Sequence, residues 1–124
     1  MKIIPLSEGT FTVDKSKQFV PFDNGADNLK ERPAGSLLVE VQPFCVITAK
    51  DILLLDAGLG FEINGTLQLH QNLMDAGINP SEVTKVVMSH LHKDHSGGIG
   101  IEREGLGRRF SVCFWKRFGF LSRK

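Results

Sequence analysis

A chain of 124 residues, 41% hydrophobic and 23% charged, is enough for one soluble globular domain and not for two. A net charge of +1 gives no general attraction to nucleic acid or membranes, and the longest apolar runs, such as Ile52 to Leu55, are far too short to span a bilayer. The opening Met1-Lys2-Ile3-Ile4-Pro5 lacks the apolar stretch of a signal peptide, so a cytoplasmic protein is expected, with Cys45 and Cys113 as separate thiols.

Lys2 to Leu6 reads as a short strand, and Thr10 to Val13 as a second after the Glu8-Gly9 turn signal. The stretch from Phe22 to Gly35, rich in Asp, Asn, Gly and Pro, reads as a loop. Ser36 to Ala49 is too β-branched for a helix, and Pro43 divides it into strand, break, strand. Asp51 to Leu55 reads as a continuous apolar strand buried on both faces, and it ends in Asp56-Ala57-Gly58-Leu59-Gly60, whose glycines permit a sharp turn. From Thr66 to Ala76 the spacing predicts a helix with Leu67, Leu69, Leu73, Met74 and Ala76 along an apolar stripe and Gly77 as its left-handed terminator. His70 in this helix reads as a surface or packing histidine. Asn79-Pro80-Ser81-Glu82 opens a short helical turn, and Lys85 to Ser89 is a second buried strand that leads into His90. The pattern, strand-rich early and then strand, helix, strand, implies a mixed β-sheet with a helix packed on one face, an α/β (α+β) architecture.

Charge is uneven along the chain. Residues 1–100 carry 8 Lys/Arg against 12 Asp/Glu, whereas residues 101–124 carry 7 against 2 together with Phe110, Phe114, Trp115, Phe118 and Phe120. The chain therefore divides into a domain over 1–104 and an atypical basic, aromatic tail over 105–124.

Three of the four histidines fall within six residues, His90-Leu91-His92-Lys93-Asp94-His95. Imidazole offers a neutral nitrogen ligand and Asp a hard oxygen ligand. In an extended segment residues two apart point the same way, so His90 and His92 can clamp one metal. Asp94 and His95, where the loop turns, can reach a second, and Ser96-Gly97-Gly98 supplies the small residues of a tight turn. The plainer alternative is three loop histidines with no ligand.

His-X-His-X-Asp-His after an apolar strand resembles the signature of the metallo-β-lactamase fold, and Asp51-Ile-Leu-Leu-Leu-Asp56-Ala-Gly58 resembles that family's earlier strand ending in Asp-X-Gly. The resemblance covers roughly residues 36–100. It implies the N-terminal half of an αββα sandwich. It also implies a metal-dependent hydrolase with two zinc ions, manganese or iron also being compatible with mixed His/Asp sites. His90 and His92 would serve one ion, Asp94 and His95 the other. The reaction implied is attack by a metal-bound hydroxide, since the metal lowers the pKa of water from about 15.7 to about 7. Asp94 would orient the hydroxide and carry a proton to the leaving group. Asp56 would accept a hydrogen bond beside the ligands, or would simply shape a turn. The substrate is a small molecule, with lactones, thioesters, β-lactams and phosphoesters all open; nucleic acid is not expected.

In a complete member the resemblance implies a second sheet, a further histidine for the first metal, a bridging aspartate and a last histidine for the second. Here no histidine follows His95. The alternative function is thus a truncated, non-catalytic fragment that binds metal weakly or depends on a partner. The tail is open to two accounts: a product of truncation or frameshift, or a basic amphipathic helix for an anionic membrane or a partner groove. A half-sandwich would expose an apolar sheet face, so a homodimer or aggregation is expected.

Overall fold

The computed structural model describes residues 1–90, 92–99, 111–116 and 119–123, with backbone only for Lys93, 111–116 and 119–123. Its main sheet is six-stranded. In the order across the sheet, β1 (Lys2–Pro5) is followed by β5 (Phe44–Ile47), β6 (Ile52–Leu55), β9 (Lys85–Met88), β10 (Ser111–Lys116) and β11 (Gly119–Arg123). β6 runs parallel to β9 with Leu54 opposite Val86, and antiparallel to β5 with Leu54 opposite Cys45. A separate three-stranded sheet places β2 (Gly9–Val13) between β3 (Phe19–Pro21) and β4 (Leu37–Val41). Pro43 falls between β4 and β5, where it breaks the pairing as expected, and the Pro43 carbonyl accepts from the Leu6 amide instead.

Alternation along the strands sorts their side chains. Ile4, Cys45, Leu54 and Val86 share one face of the sheet and meet α1 (Gln68–Asp75) through Leu69 and Leu73. Leu54, Leu69, Leu73, Val86 and Met88 are all completely buried. Each such side chain contributes about 1.5–3 kcal/mol by leaving water. The Cys45 thiol is free in this core, and burial pushes its pKa up. On the opposite face Phe44, Leu55 and Val87 line up across three strands, with Ile3, Val46 and Leu53 in the neighbouring row; Ile3 and Leu55 are exposed.

The helix starts two residues later than its spacing predicts, because Thr66–Leu67 forms strand β8, paired with β7 (Glu62–Ile63) across Asn64-Gly65. Both turn residues have positive φ, 53° and 80°, the combination that Asn-Gly favours in a tight hairpin. α1 ends where expected: Gly77 has φ 80°, its amide reaches the Met74 carbonyl, and the Ile78 amide closes back on Leu73. Asn79 and Glu82 form a reciprocal cap on the 3₁₀ turn Pro80–Glu82, which leads the chain into β9.

The described part of the tail is not helical. The strand β10 pairs in parallel with β9, Ser111 opposite Lys85, and turns back antiparallel as β11. The open edge of β9 offers unpaired amides and carbonyls, and the aromatic and β-branched residues of the tail suit a strand. Phe114 therefore lies in a strand rather than on a helix face, while Phe110 and Phe118 lie outside the described residues. Among the described residues no helix is long and apolar enough to cross a membrane.

Candidate metal centre

The two parallel strands β6 and β9 end side by side and deliver the site. The Asp56 amide donates to the Val87 carbonyl, extending the ladder by one bond. At Asp56 the backbone then enters the left-handed region, φ 61°, which Asp tolerates better than most residues. This turn brings the carboxylate onto the end of β9. The Ser89 amide donates to Asp56 Oδ1 at 2.7 Å, and Ser89 Oγ donates to Oδ2 at 2.8 Å. His95 Nδ1 lies 2.7 Å from the same Oδ2. Both accounts of Asp56 thus describe the same residue: it makes the turn, and it accepts hydrogen bonds beside the histidines.

After His90 the chain folds into a single turn of helix, α2 (Lys93–Ser96). The amides of His95 and Ser96 both donate to the His92 carbonyl. This turn places Asp94 and His95 toward His90. Ligand-capable atoms of His90, Asp94 and His95 all lie within 4.8 Å of one another. His95 Nε2 is 3.2 Å from Asp94 Oδ2, and the His90 and His95 rings are 4.0 Å apart between centroids. His92 stands outside this cluster, with its ring 4.6 Å from that of His90. His90 and His92 are exposed, while Asp94 and His95 are half-buried. His70 lies on α1 and takes no part.

The donor set fits a metal ion. Two imidazoles and one carboxylate match the ligands that zinc, manganese and iron take. A carboxylate can only accept, so His95 Nδ1 donates to Asp56, and Nε2, 3.2 Å from Asp94 Oδ2, is the ring nitrogen left for a metal to take. A carboxylate partner on one ring nitrogen orients the ring so that the other can serve as the metal ligand.

Close backbone contacts lock the loop Asp56–Gly60 against the stretch after α2. The Ala57 amide donates to the His95 carbonyl at 2.6 Å, the Gly97 amide to Gly58, and the Gly98 amide to Ala57. A Cβ on Gly97 would run into the Leu59 carbonyl, and one on Gly60 into the Gly97 carbonyl. Glycine is needed here for close approach as much as for turning. Ile99 then packs against the core and anchors the loop's exit.

Two residues of this region escape sequence reasoning. Ser89 has a visible signal, a hydroxyl directly before the histidine at a strand end. Glu8 has none: beside Gly9 it reads as part of a turn. In the structure it is only 7% exposed, and its Oε2 accepts from the Leu59 amide at 2.8 Å. Burial raises its pKa to about 7, against the opposing pull of that hydrogen bond. Beside it a cleft of about 420 Å³ is walled by Phe11, Phe22, Phe61 and Ile63.

The profile of the metallo-beta-lactamase superfamily matches residues 38–104, more than half of the sequence, and the chain belongs to that family. Solved structures with the same fold include AidC, a dizinc quorum-quenching lactonase in complex with a product, at 22% identity and a TM-score of 0.61 over 89% of this chain. They also include the hydrolase AbOPH at 23% identity, TM-score 0.61 and the same 89% coverage. A probable metal-dependent hydrolase from Staphylococcus aureus aligns at 20% identity and TM-score 0.54 over 78%. The chain spans about 40% of the length of each of these three proteins. At such identities the likeness establishes the fold. Among curated protein sequences none matches the chain.

Proposed function

We propose that this chain carries the metal-binding loop of a zinc-dependent hydrolase acting on a small molecule such as a lactone, thioester or β-lactam. His90, His92, Asp94 and His95 are the ligands. The observation that carries the proposal is the convergence of His90, Asp94 and His95 within 4.8 Å, with His95 Nδ1 held by Asp56. The membership in the family and the fold shared with hydrolases, a dizinc lactonase among them, support it. When bound, zinc would supply Lewis acidity and a nucleophile at neutral pH.

The chain's own residues would do the rest. Asp56 holds the His95 ring in its ligand tautomer, and Ser89 braces Asp56. Asp94, half-buried and next to His95, would take a proton from an attacking water and pass it to a leaving group. The Phe-walled cleft beside Phe61 offers apolar surface to the non-reacting part of a substrate. The apolar sheet face bearing Ile3 and Leu55 supports self-association as a homodimer or larger species.

A second reading, a non-catalytic chain that binds metal weakly or works only with a partner, is favoured by one observation. The described residues hold a single cluster of three donors rather than two complete sets. Elemental analysis of the purified chain and of His90→Ala and Asp94→Ala variants separates the two. About two equivalents of zinc, lost in both variants, are expected for the paired-metal hydrolase. Substoichiometric metal that neither substitution changes would overturn it.

A further inference from the structure

We propose that Glu8 is a positioning residue for the metal centre, acting through the loop Asp56–Gly60. This rests on the metal-site reading above. Glu8 lies between β1 and β2, far in sequence from every ligand, and neither strand belongs to the site.

Its side chain is placed to hold the loop from the outside. Oε2 accepts the Leu59 amide at 2.8 Å, and the carboxyl lies against the open face of Gly58, where any Cβ would collide with it. Gly58 has φ 70°, so glycine serves there both for conformation and for room. Glu8 itself is fixed by its backbone, because its amide donates to the Val41 carbonyl at 2.8 Å, tying it to the end of β4. The other side of the same loop carries contacts that orient α2. Ala57 bonds the His95 carbonyl, Gly58 accepts from Gly97, and Asp56 holds the His95 ring. The loop is thus held between Glu8 and the ligand-bearing turn, and the two sets of bonds share the Gly58–Leu59 peptide group, whose carbonyl accepts from Gly97 and whose amide donates to Glu8.

A buried carboxylate is an expensive way to fill space. Its Oε1 is buried and makes no hydrogen bond, so an apolar side chain would cost less if packing were the whole purpose. What an apolar side chain could not do is accept the Leu59 amide. Without that acceptor, the loop has an unsatisfied, half-buried donor and an open cavity over Gly58. It can then relax outward, and the ligands on its other side lose their register.

The test uses the full chain and two readouts. In the metal-free protein, hydrogen exchange of the Ala57, Gly97 and Gly98 amides reports the clamp; cobalt titration, followed by its visible absorption, reports the ligands. Glu8→Ala is expected to lower protection at those three amides at least tenfold while amides of β5, β6 and α1 keep theirs, and to weaken cobalt binding at least tenfold. Glu8→Gln, which retains an acceptor for the Leu59 amide, is expected to restore both. Unchanged protection in Glu8→Ala, or an equal loss throughout β5, β6 and α1, overturns the proposal. So does lost protection with cobalt affinity intact. A wild-type chain that leaves cobalt unbound refutes the metal-site reading, and with it the link from Glu8 to the ligands, whereas the exchange data still decide separately whether Glu8 holds the loop.

Discussion

Asp56→Asn tests the centre with the least disturbance of shape. Asparagine has nearly the same volume and, like aspartate, tolerates the left-handed backbone found at Asp56. Its carbonyl oxygen can still accept the Ser89 amide, now at 2.7 Å. The change falls on the other atom: where Oδ2 accepts from His95 Nδ1 at 2.7 Å, the variant presents an amide donor. His95 must either lose this bond or carry its proton on Nε2, which removes the lone pair a metal would take. For folding, a hydrogen bond to a charged group becomes at best a neutral one, a cost of about 1 kcal/mol. For metal binding, removing the carboxylate partner of a ligating histidine costs about 10–100-fold in affinity. Urea unfolding of the metal-free chain measures the first quantity, and competition with a chromophoric chelator the second. A folded variant whose zinc affinity stays within about twofold of the wild type would refute the argument, because the tautomer would then not matter.

Other consequences follow from the same contacts. Gly97→Ala pushes a methyl group into the Leu59 carbonyl, an overpacking expected to cost about 1–3 kcal/mol; an unchanged urea midpoint would contradict the close approach. Glu8 makes stability depend on pH, since its pKa is about 7 when folded and 4.5 as an ordinary side chain. The folded chain keeps a proton that the unfolded chain releases, so this contribution is fully present below pH 4.5 and is lost as pH rises through about 7. At about 1.4 kcal/mol per pKa unit the loss is on the order of 3 kcal/mol. The difference in unfolding free energy between wild type and Glu8→Gln should vary over that window, and a constant difference would show that Glu8 does not titrate there. Leu55→Lys places a charge on the exposed sheet face and should shift the chain toward monomer in sedimentation velocity. A wild-type protein that is already monomeric at micromolar concentration would remove the basis for self-association.

Much of the scaffold was legible because its signals are local. Leu54 lies in an unbroken apolar run that forms a strand as expected, and it is buried; the run is not buried on both faces, since Leu55 is exposed. Gly77 follows a helical stripe, and no other residue so readily takes the φ that ends a helix there. The division of 36–49 at Pro43 rests on a missing amide. Asn64-Gly65 was equally local, but the strands it joins have only two residues each, too few to alternate visibly beside the stronger helical spacing. The tail shows the opposite case. Its phenylalanines recur at a helical interval, but pairing with the open edge of β9 places Phe114 in a strand.

The sequence by itself determined the family, the two strands that end at the site, and the grouping of His90, His92, Asp94 and His95 in one loop, because these depend on residue types within a few positions of one another. Only the tertiary structure decided which of those side chains converge, that Asp56 both turns the chain and holds His95, and that Glu8 lies against Gly58. Those contacts join positions 39 and 51 residues apart, Asp56 to His95 and Glu8 to Leu59. No local spacing encodes such a pairing. It arises when β6 and β9 lie parallel and the core closes over Leu54 and Val86, bringing separate turns to the same end of the sheet.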